Sequence, residues 1–172
     1  VAKAYGAGRV IMVGTRAETL EVAVRSGAAD EFVVNVCNDP VQQVLDLTGE
    51  TGADVVFETV GGENQIISQC MEMAGRGGTV SVVGLFTKPQ IIDSQEYGMS
   101  KELTLTWSNS YSSWKGVSEY KSAIDMLGDG LLDANPIITH RFPQRNIADA
   151  FETASDKKSS GAIRVIIDHC MP

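Results

Sequence analysis

Short apolar runs rich in β-branched residues alternate along this chain with longer segments whose apolar positions recur every three or four residues. The runs lie at residues 9–13, 32–34, 55–57 and 80–83, each of a length that suits a strand covered on both faces. Between them, Val41, Val44, Leu45 and Thr48 fall at i, i+3, i+4 and i+7, and Tyr120, Ala123, Ile124 and Leu127 repeat that spacing. Two helices, each burying one face, are predicted. Strands and helices alternating in this way form βαβ units, and therefore a parallel sheet in an α/β fold. Gly49 and Gly52 mark the third helix-to-strand join, and Gly75, Gly77 and Gly78 the fourth, as expected where helices end on a left-handed residue. After Leu132 the pattern changes to an extended 136–142, a helical stretch around Ile147, Ala150 and Phe151, a polar turn at 156–160 and an apolar 162–168. This reads as a domain over 1–132 followed by a strand-helix-strand tail over 133–172.

Composition narrows the field. A length of 172 residues with 43% hydrophobic positions suits one α/β domain with a real core. The formal net charge of −8 offers no basic stripe for a phosphate backbone, so nucleic acid is not an expected partner. Cys37, Cys70 and Cys170 are odd in number and contain no C-x-x-C pair; free thiols in a reducing compartment, the cytoplasm, are expected. No apolar run approaches the roughly 20 residues that span a bilayer, and Val1-Ala2-Lys3-Ala4-Tyr5 lacks the apolar stretch of a leader.

Few residues carry recognisable chemistry. Gly6-Ala7-Gly8 precedes a strand instead of following one, the reverse of a phosphate-binding fingerprint, and Ile11 stands where its third glycine belongs. A helix C-cap is the expected role. The end of the 9–13 run says more, because dinucleotide-binding sheets place a carboxylate there for the ribose hydroxyls. Here Gly14, Thr15 and Arg16 stand instead. They remove an anion that would repel a 2′-phosphate and supply a hydroxyl and a guanidinium fork. That favours NADP over NAD, although a turn followed by a surface arginine has the same sequence. His140 and His169 lie far apart with no cysteines at ligand spacing, so no zinc site is expected in this chain. Ser108, Ser110, Ser112 and Ser113 form no G-x-S-x-G elbow. Glu18 with Glu21, and Asp156 with Lys157 and Lys158, are expected as solvated charges.

Taken together, Val1-Ala2-Lys3-Ala4-Tyr5-Gly6-Ala7, Gly27-Ala28 before Asp30, Thr51-Gly52-Ala53-Asp54-Val55-Val56 and Gly77-Gly78-Thr79-Val80 resemble the zinc-containing medium-chain alcohol dehydrogenase family. Pro136-Ile137-Ile138-Thr139-His140-Arg141-Phe142-Pro143 and Ala150-Phe151-Glu152 extend the likeness, in the family's order, across nearly the whole chain. The resemblance implies a Rossmann-like doubly wound parallel sheet lacking its first strand and glycine-rich loop, with a tail that packs on a catalytic domain. The zinc ligands and proton relay would lie upstream of Val1, and no catalytic residue within this chain.

Residue by residue, the resemblance places Gly14, Thr15 and Arg16 at the ribose turn of NADP-using members. Thr59, Val60 and Gly61 match the segment between adenosine ribose and nicotinamide. Val83, Gly84 and Leu85, with Thr106, Trp107 and Ser108, match strand ends that meet the carboxamide. Arg164 matches a basic residue near the pyrophosphate. The implied activity is hydride transfer between an alcohol or polyol and NADP (alternatively NAD), with zinc upstream as the Lewis acid and a homodimer or homotetramer as the whole protein. A zinc-free enone or quinone reductase, a non-catalytic dinucleotide sensor and, more distantly, a methyltransferase remain open. In the family's 3-2-1-4-5-6 order the first strand sits between the runs at residues 9–13 and 55–57. Its absence would leave a gap of about 10 Å lined by unpaired backbone, and so poor stability and no activity for this segment alone.

Overall fold

In the computed structural model, which describes residues 1–36 and 39–171, the expected alternation of strand and helix is realised. In chain order come β1 (Ile11–Gly14), α1 (Ala17–Arg25), β2 (Glu31–Val34), α2 (Pro40–Leu47), β3 (Ala53–Glu58), α3 (Ile67–Met73), β4 (Ala74–Val82) and β5 (Thr104–Trp107). A two-stranded ribbon follows, β6 (Ser113–Trp114) and β7 (Val117–Ser118), then α4 (Glu119–Gly128), β8 (Ile138–Pro143), α5 (Ile147–Ser155), α6 (Lys157–Ser160) and β9 (Arg164–Asp168). The chain divides into two compact units, residues 1–34 with 120–172, and residues 35–119. The reading of Cys37 as a free thiol lies outside the described residues.

In the first unit the segment before β1 is a 3-10 turn, Lys3–Tyr5, ended by Gly6 at φ 90° with its N–H returned to the Lys3 carbonyl. This is the helix-ending role expected of that glycine. β1 and β2 pair in parallel, from Ile11 opposite Glu31 to Gly14 opposite Val34. α1 forms the crossover, and Leu20, Ala29 and Val33 are buried. Lys3 Nζ and the Val10 N–H both reach the Asp30 carboxyl, and together they hold it below the usual carboxylate range. In the tail β8 and β9 pair in parallel with α5 as their crossover. The polar stretch at 156–160, expected as a turn, is a single helical turn instead. Asp156 accepts the Ser159 N–H at its start and Gly161, at φ 69°, closes it.

In the second unit β3, β4 and β5 form one parallel sheet with β4 in the centre, Glu58 opposite Val82 and Val82 opposite Trp107. α3 lies on it, and Ile67, Cys70 and Met71 close over Ala74, Val80 and Val82 to make the core. Val41 and Val44 of α2 are buried as their spacing predicts. The glycines at 75, 77 and 78 do not mark a join: they lie inside β4, where the register slips between Ala53 opposite Ala74 and Val55 opposite Thr79. Gly77 takes φ 72°, and a Cβ on Gly75 would sit 2.5 Å from the Thr51 carbonyl oxygen. At this β-bulge a side chain is excluded by close approach at Gly75 and by the left-handed backbone at Gly77.

Two expectations of burial fail. Met12 and Val13 on β1 and Val55 and Phe57 on β3 are exposed, Phe57 by 59%, where strands covered on both faces were expected. Among the described residues β1 has a ladder only to β2, and β3 only to β4, so β1 and β3 belong to separate sheets. The Tyr120, Ala123, Ile124 and Leu127 face of α4 is also exposed, Ile124 by 64%. Periodicity marks which face of a helix is apolar, and only tertiary packing decides whether something covers it. Accordingly, Ile67→Ala should destabilise this chain by about 2–5 kcal/mol through the cavity it leaves, and Ile124→Ala by about 0.5 kcal/mol or less. Urea unfolding measures both.

Candidate functional site

Ligands of open parallel sheets bind beyond the carboxyl ends of the strands, and in the second unit the loops at that end are joined by hydrogen bonds. β3 terminates at Glu58, whose side chain turns back into the protein and is 2% exposed. Its Oε1 accepts the Val60 N–H at 2.6 Å and the Gly61 N–H at 2.9 Å. Its backbone carbonyl accepts the N–H groups of Val83 and Gly84 at 2.8 and 3.0 Å. Further along, Gly62 donates to the Leu85 carbonyl at 2.8 Å and Thr87 to the Gly62 carbonyl at 3.0 Å. The loops that follow β3 and β4 are thus one hydrogen-bonded structure. Ser108, donating to the Val82 carbonyl at 2.8 Å, carries β5 to the same end.

Thr59, Val60, Gly61, Val83, Gly84, Leu85, Thr106, Trp107 and Ser108 therefore gather at one end of one sheet. Gly61 and Gly84 form its floor. A Cβ on Gly61, at φ 61°, would lie 2.5 Å from the Leu85 carbonyl oxygen, and one on Gly84 would lie 2.4 Å from Glu58 Oε2. Val60, Val83, Leu85 and Trp107 at this end are exposed. Exposed apolar side chains at the carboxyl ends of strands suit the face of a flat ring system such as a nicotinamide.

Glu58 was not picked out by the sequence reading. Its signal was present, a lone acid closing the apolar run Val55-Val56-Phe57 immediately before Gly61 and Gly62. Its Oε2 is buried without a hydrogen-bond partner, which costs about 1–3 kcal/mol. The two N–H groups on Oε1 offset that cost. Nearby, burial pushes the Cys70 thiol up to about 11, with the Glu58 charge as a second, smaller cause.

The first unit holds the other candidates. Gly14, Thr15 and Arg16, with Met12, Val13, Thr19 and Leu20, line a recess of about 190 Å³. A Cβ on Gly14 would press to 3.1 Å from Leu20 Cδ2. The Arg16 guanidinium is held on several sides. Nε and Nη2 both donate to Thr19 Oγ1, Nη1 to the Lys157 carbonyl at 2.9 Å, and Nη2 to the Ala162 carbonyl at 3.0 Å. Arg164 opens β9 with its side chain exposed. A larger recess of about 360 Å³ is rimmed by Asp149, Glu152 and Asp156. That acidic rim would repel phosphate, so it is not the nucleotide site.

His140 and His169 have non-metal neighbours, Thr139 Oγ1 at 2.9 Å and Gln144 Oε1 at 3.2 Å. No group of three or more His, Cys, Asp or Glu side chains among the described residues is placed to hold a metal ion, so the residues present do not fit a zinc centre. Among the described residues no helix is long and apolar enough to cross a membrane.

The sequence pattern of the family described as zinc-binding dehydrogenase matches residues 1–129. The chain is 36% identical over 155 residues to L-threonine 3-dehydrogenase of Bacillus licheniformis, covering 88% of this chain and 42% of that protein. It is 26% identical over 159 residues to sorbitol dehydrogenase of Bacillus subtilis, covering 92% and 43%. The solved alcohol dehydrogenase TADH from Thermus sp. ATN1 superposes with a TM-score of 0.78 at 27% identity, covering 95% of this chain and 44% of that one. The chain spans less than half the length of each of these relatives.

Two outcomes follow from this geometry. Glu58→Ala leaves the buried Gly61 N–H and the part-buried Val60 N–H without their acceptor and should cost about 1–3 kcal/mol in thermal or urea unfolding, with Glu58→Gln recovering much of it. For Cys70, a native pKa near 11 against 9.0 for a free thiol means that its contribution to stability is complete below pH 9 and lost as pH rises towards 11. Iodoacetamide at pH 8 should therefore label the exposed Cys170 well before Cys70, as peptide mapping would show.

Proposed function

The chain belongs to the zinc-binding dehydrogenase family, and from that premise we propose that it holds the dinucleotide of an oxidoreductase that moves a hydride between an alcohol or polyol carbon and NADP. The observation that carries the reading is the floor of Gly61 and Gly84 stitched together by Glu58, with exposed strand ends on either side. Bound there, the dinucleotide supplies the hydride acceptor. The work of this chain is to bind and orient it. Val83, Gly84 and Leu85, with Thr106, Trp107 and Ser108, offer backbone groups and an apolar wall to the nicotinamide side. Thr59, Val60 and Gly61 would lie along the ribose, and Arg164, in the other unit, is the residue that the family resemblance assigns to the pyrophosphate. The names of the relatives, a threonine and a sorbitol dehydrogenase, support a substrate with a hydroxyl-bearing carbon. Zinc would be held by residues other than those described here. A homodimer or homotetramer and a cytoplasmic location complete the proposal.

For the choice of nucleotide, the turn at Gly14-Thr15-Arg16 carries no carboxylate to accept the ribose hydroxyls or to repel a 2′-phosphate. Of the five N–H groups of a guanidinium, four are engaged in Arg16, leaving one N–H and the charge. A single charge-assisted hydrogen bond of about 1.5–3 kcal/mol argues for a preference at the lower end of about 10- to 100-fold. Fluorescence titration of the full-length protein should show NADPH binding about tenfold more tightly than NADH, with Arg16→Ala erasing the difference. Equal binding of the two by the unaltered protein would overturn the NADP reading. Metal analysis of the same sample separates the alcohol dehydrogenase, which would contain zinc, from a zinc-free enone or quinone reductase.

A further inference from the structure

The Arg16 side chain is anchored by residues 141 and 146 positions further along the chain, the carbonyls of Lys157 and Ala162. The first belongs to α6, the one-turn helix capped by Asp156 at one end and by the left-handed Gly161 at the other, and the second follows that glycine. The third anchor, Thr19 Oγ1, lies in the first turn of α1 and receives both Nε and Nη2. All of the acceptors are neutral. No ion pair to Arg16 is found among the described residues, so the cage orients the guanidinium without cancelling its charge. The side chain is half-buried on the wall of the recess formed by Gly14, Thr15 and Thr19.

An arginine free in solvent loses its rotamer freedom when it grips a phosphate, whereas one already fixed by its surroundings does not. A guanidinium held in a neutral cage is therefore preorganised for an anion at the recess. We propose that the turn at residues 157–162 is a specificity-determining element of the nucleotide site, which presents Arg16 to the 2′-phosphate of the adenosine ribose through the carbonyls of Lys157 and Ala162. This rests on the reading of Gly14-Thr15-Arg16 as the ribose turn. Nucleotide choice then depends on the C-terminal segment as well as on the turn that meets the ribose. Arg16 and Thr19 select for the phosphate only while the turn at residues 157–162 keeps the two carbonyls in place.

The test keeps Arg16 and disturbs its anchors in the full-length protein. Gly161→Val forces a β-branched side chain into a left-handed position that opens onto empty space, shifting the turn by backbone strain and not by a clash. Thr19→Val removes the shared hydroxyl acceptor at nearly constant volume. Dissociation constants for NADPH, NADH and 2′-phosphoadenosine are measured for each variant, for Arg16→Ala and for Gly161→Val combined with Arg16→Ala. The expected result is that Gly161→Val and Thr19→Val each lower the ratio of NADPH to NADH affinity by about three- to tenfold, weaken 2′-phosphoadenosine in step and leave NADH nearly unchanged. In the Arg16→Ala background Gly161→Val should have no further effect on the ratio.

A merely structural role for the turn would weaken both dinucleotides equally and leave the ratio where it was, overturning the proposal. If Arg16→Ala lowers the ratio but neither anchor variant does, the turn has no part in selectivity and the NADP reading stands. If Arg16→Ala itself leaves the ratio unchanged, the reading of the ribose turn fails, and this inference with it.

Discussion

A carboxyl group taken out of water has to be given hydrogen-bond donors, and that requirement shapes the business end of the β3-β4-β5 sheet. Glu58 is the last residue of β3, and its side chain folds inwards instead of pointing to solvent. The donors it finds are the amides of Val60 and Gly61, so the chain must curl tightly after the strand. That curl brings Gly61 against Leu85 at a distance no Cβ could occupy, and the carbonyl of the same glutamate ties down Val83 and Gly84. Glycine at 61 and at 84, and the joined loops between them, are consequences of one buried acid. A rigid floor at the strand ends is what a ligand with a flat ring requires.

The same chain leaves much apolar surface uncovered. Met12 and Val13 on β1, Val55 and Phe57 on β3, and Tyr120, Ile124 and Leu127 on α4 are exposed, although each has the spacing or composition of a buried residue. Among the described residues β1 and β3 each carry a ladder on one edge alone. Burying apolar area stabilises by roughly 25 cal/mol per Å², so these exposed surfaces add little to the stability of this chain. Its soundest part is the core beneath α3, where Ile67, Met71, Val80 and Val82 lose nearly all contact with solvent.

Arg16 illustrates how one side chain can belong to two levels of structure. In the sequence it is the third residue of a turn after a strand, next to a glycine and a threonine. In the fold it is also the anchor between that turn and α6. The two roles are compatible because backbone carbonyls satisfy N–H donors while leaving the positive charge intact. An aspartate or glutamate as anchor would have cancelled that charge and removed its use to a phosphate.

The periods of the sequence settled the α/β class, the parallel pairing and the placing of most strands and helices. The reason is local: residues two apart share a strand face and residues three or four apart share a helix face. That residues 59–61, 83–85 and 106–108 fall at the ends of strands of one sheet was also legible, through their likeness to a family. Tertiary structure alone decided the rest. Burial of the α4 face depends on a partner surface, which no periodicity specifies. The glycines at 75, 77 and 78 form a bulge instead of a join because of how closely Thr51 and Gly75 approach. The inward turn of Glu58 and the anchoring of Arg16 by Lys157 and Ala162 depend on atoms brought together by the fold. Hydrogen bonds act over about 3 Å in space, and the sequence records only distance along the chain.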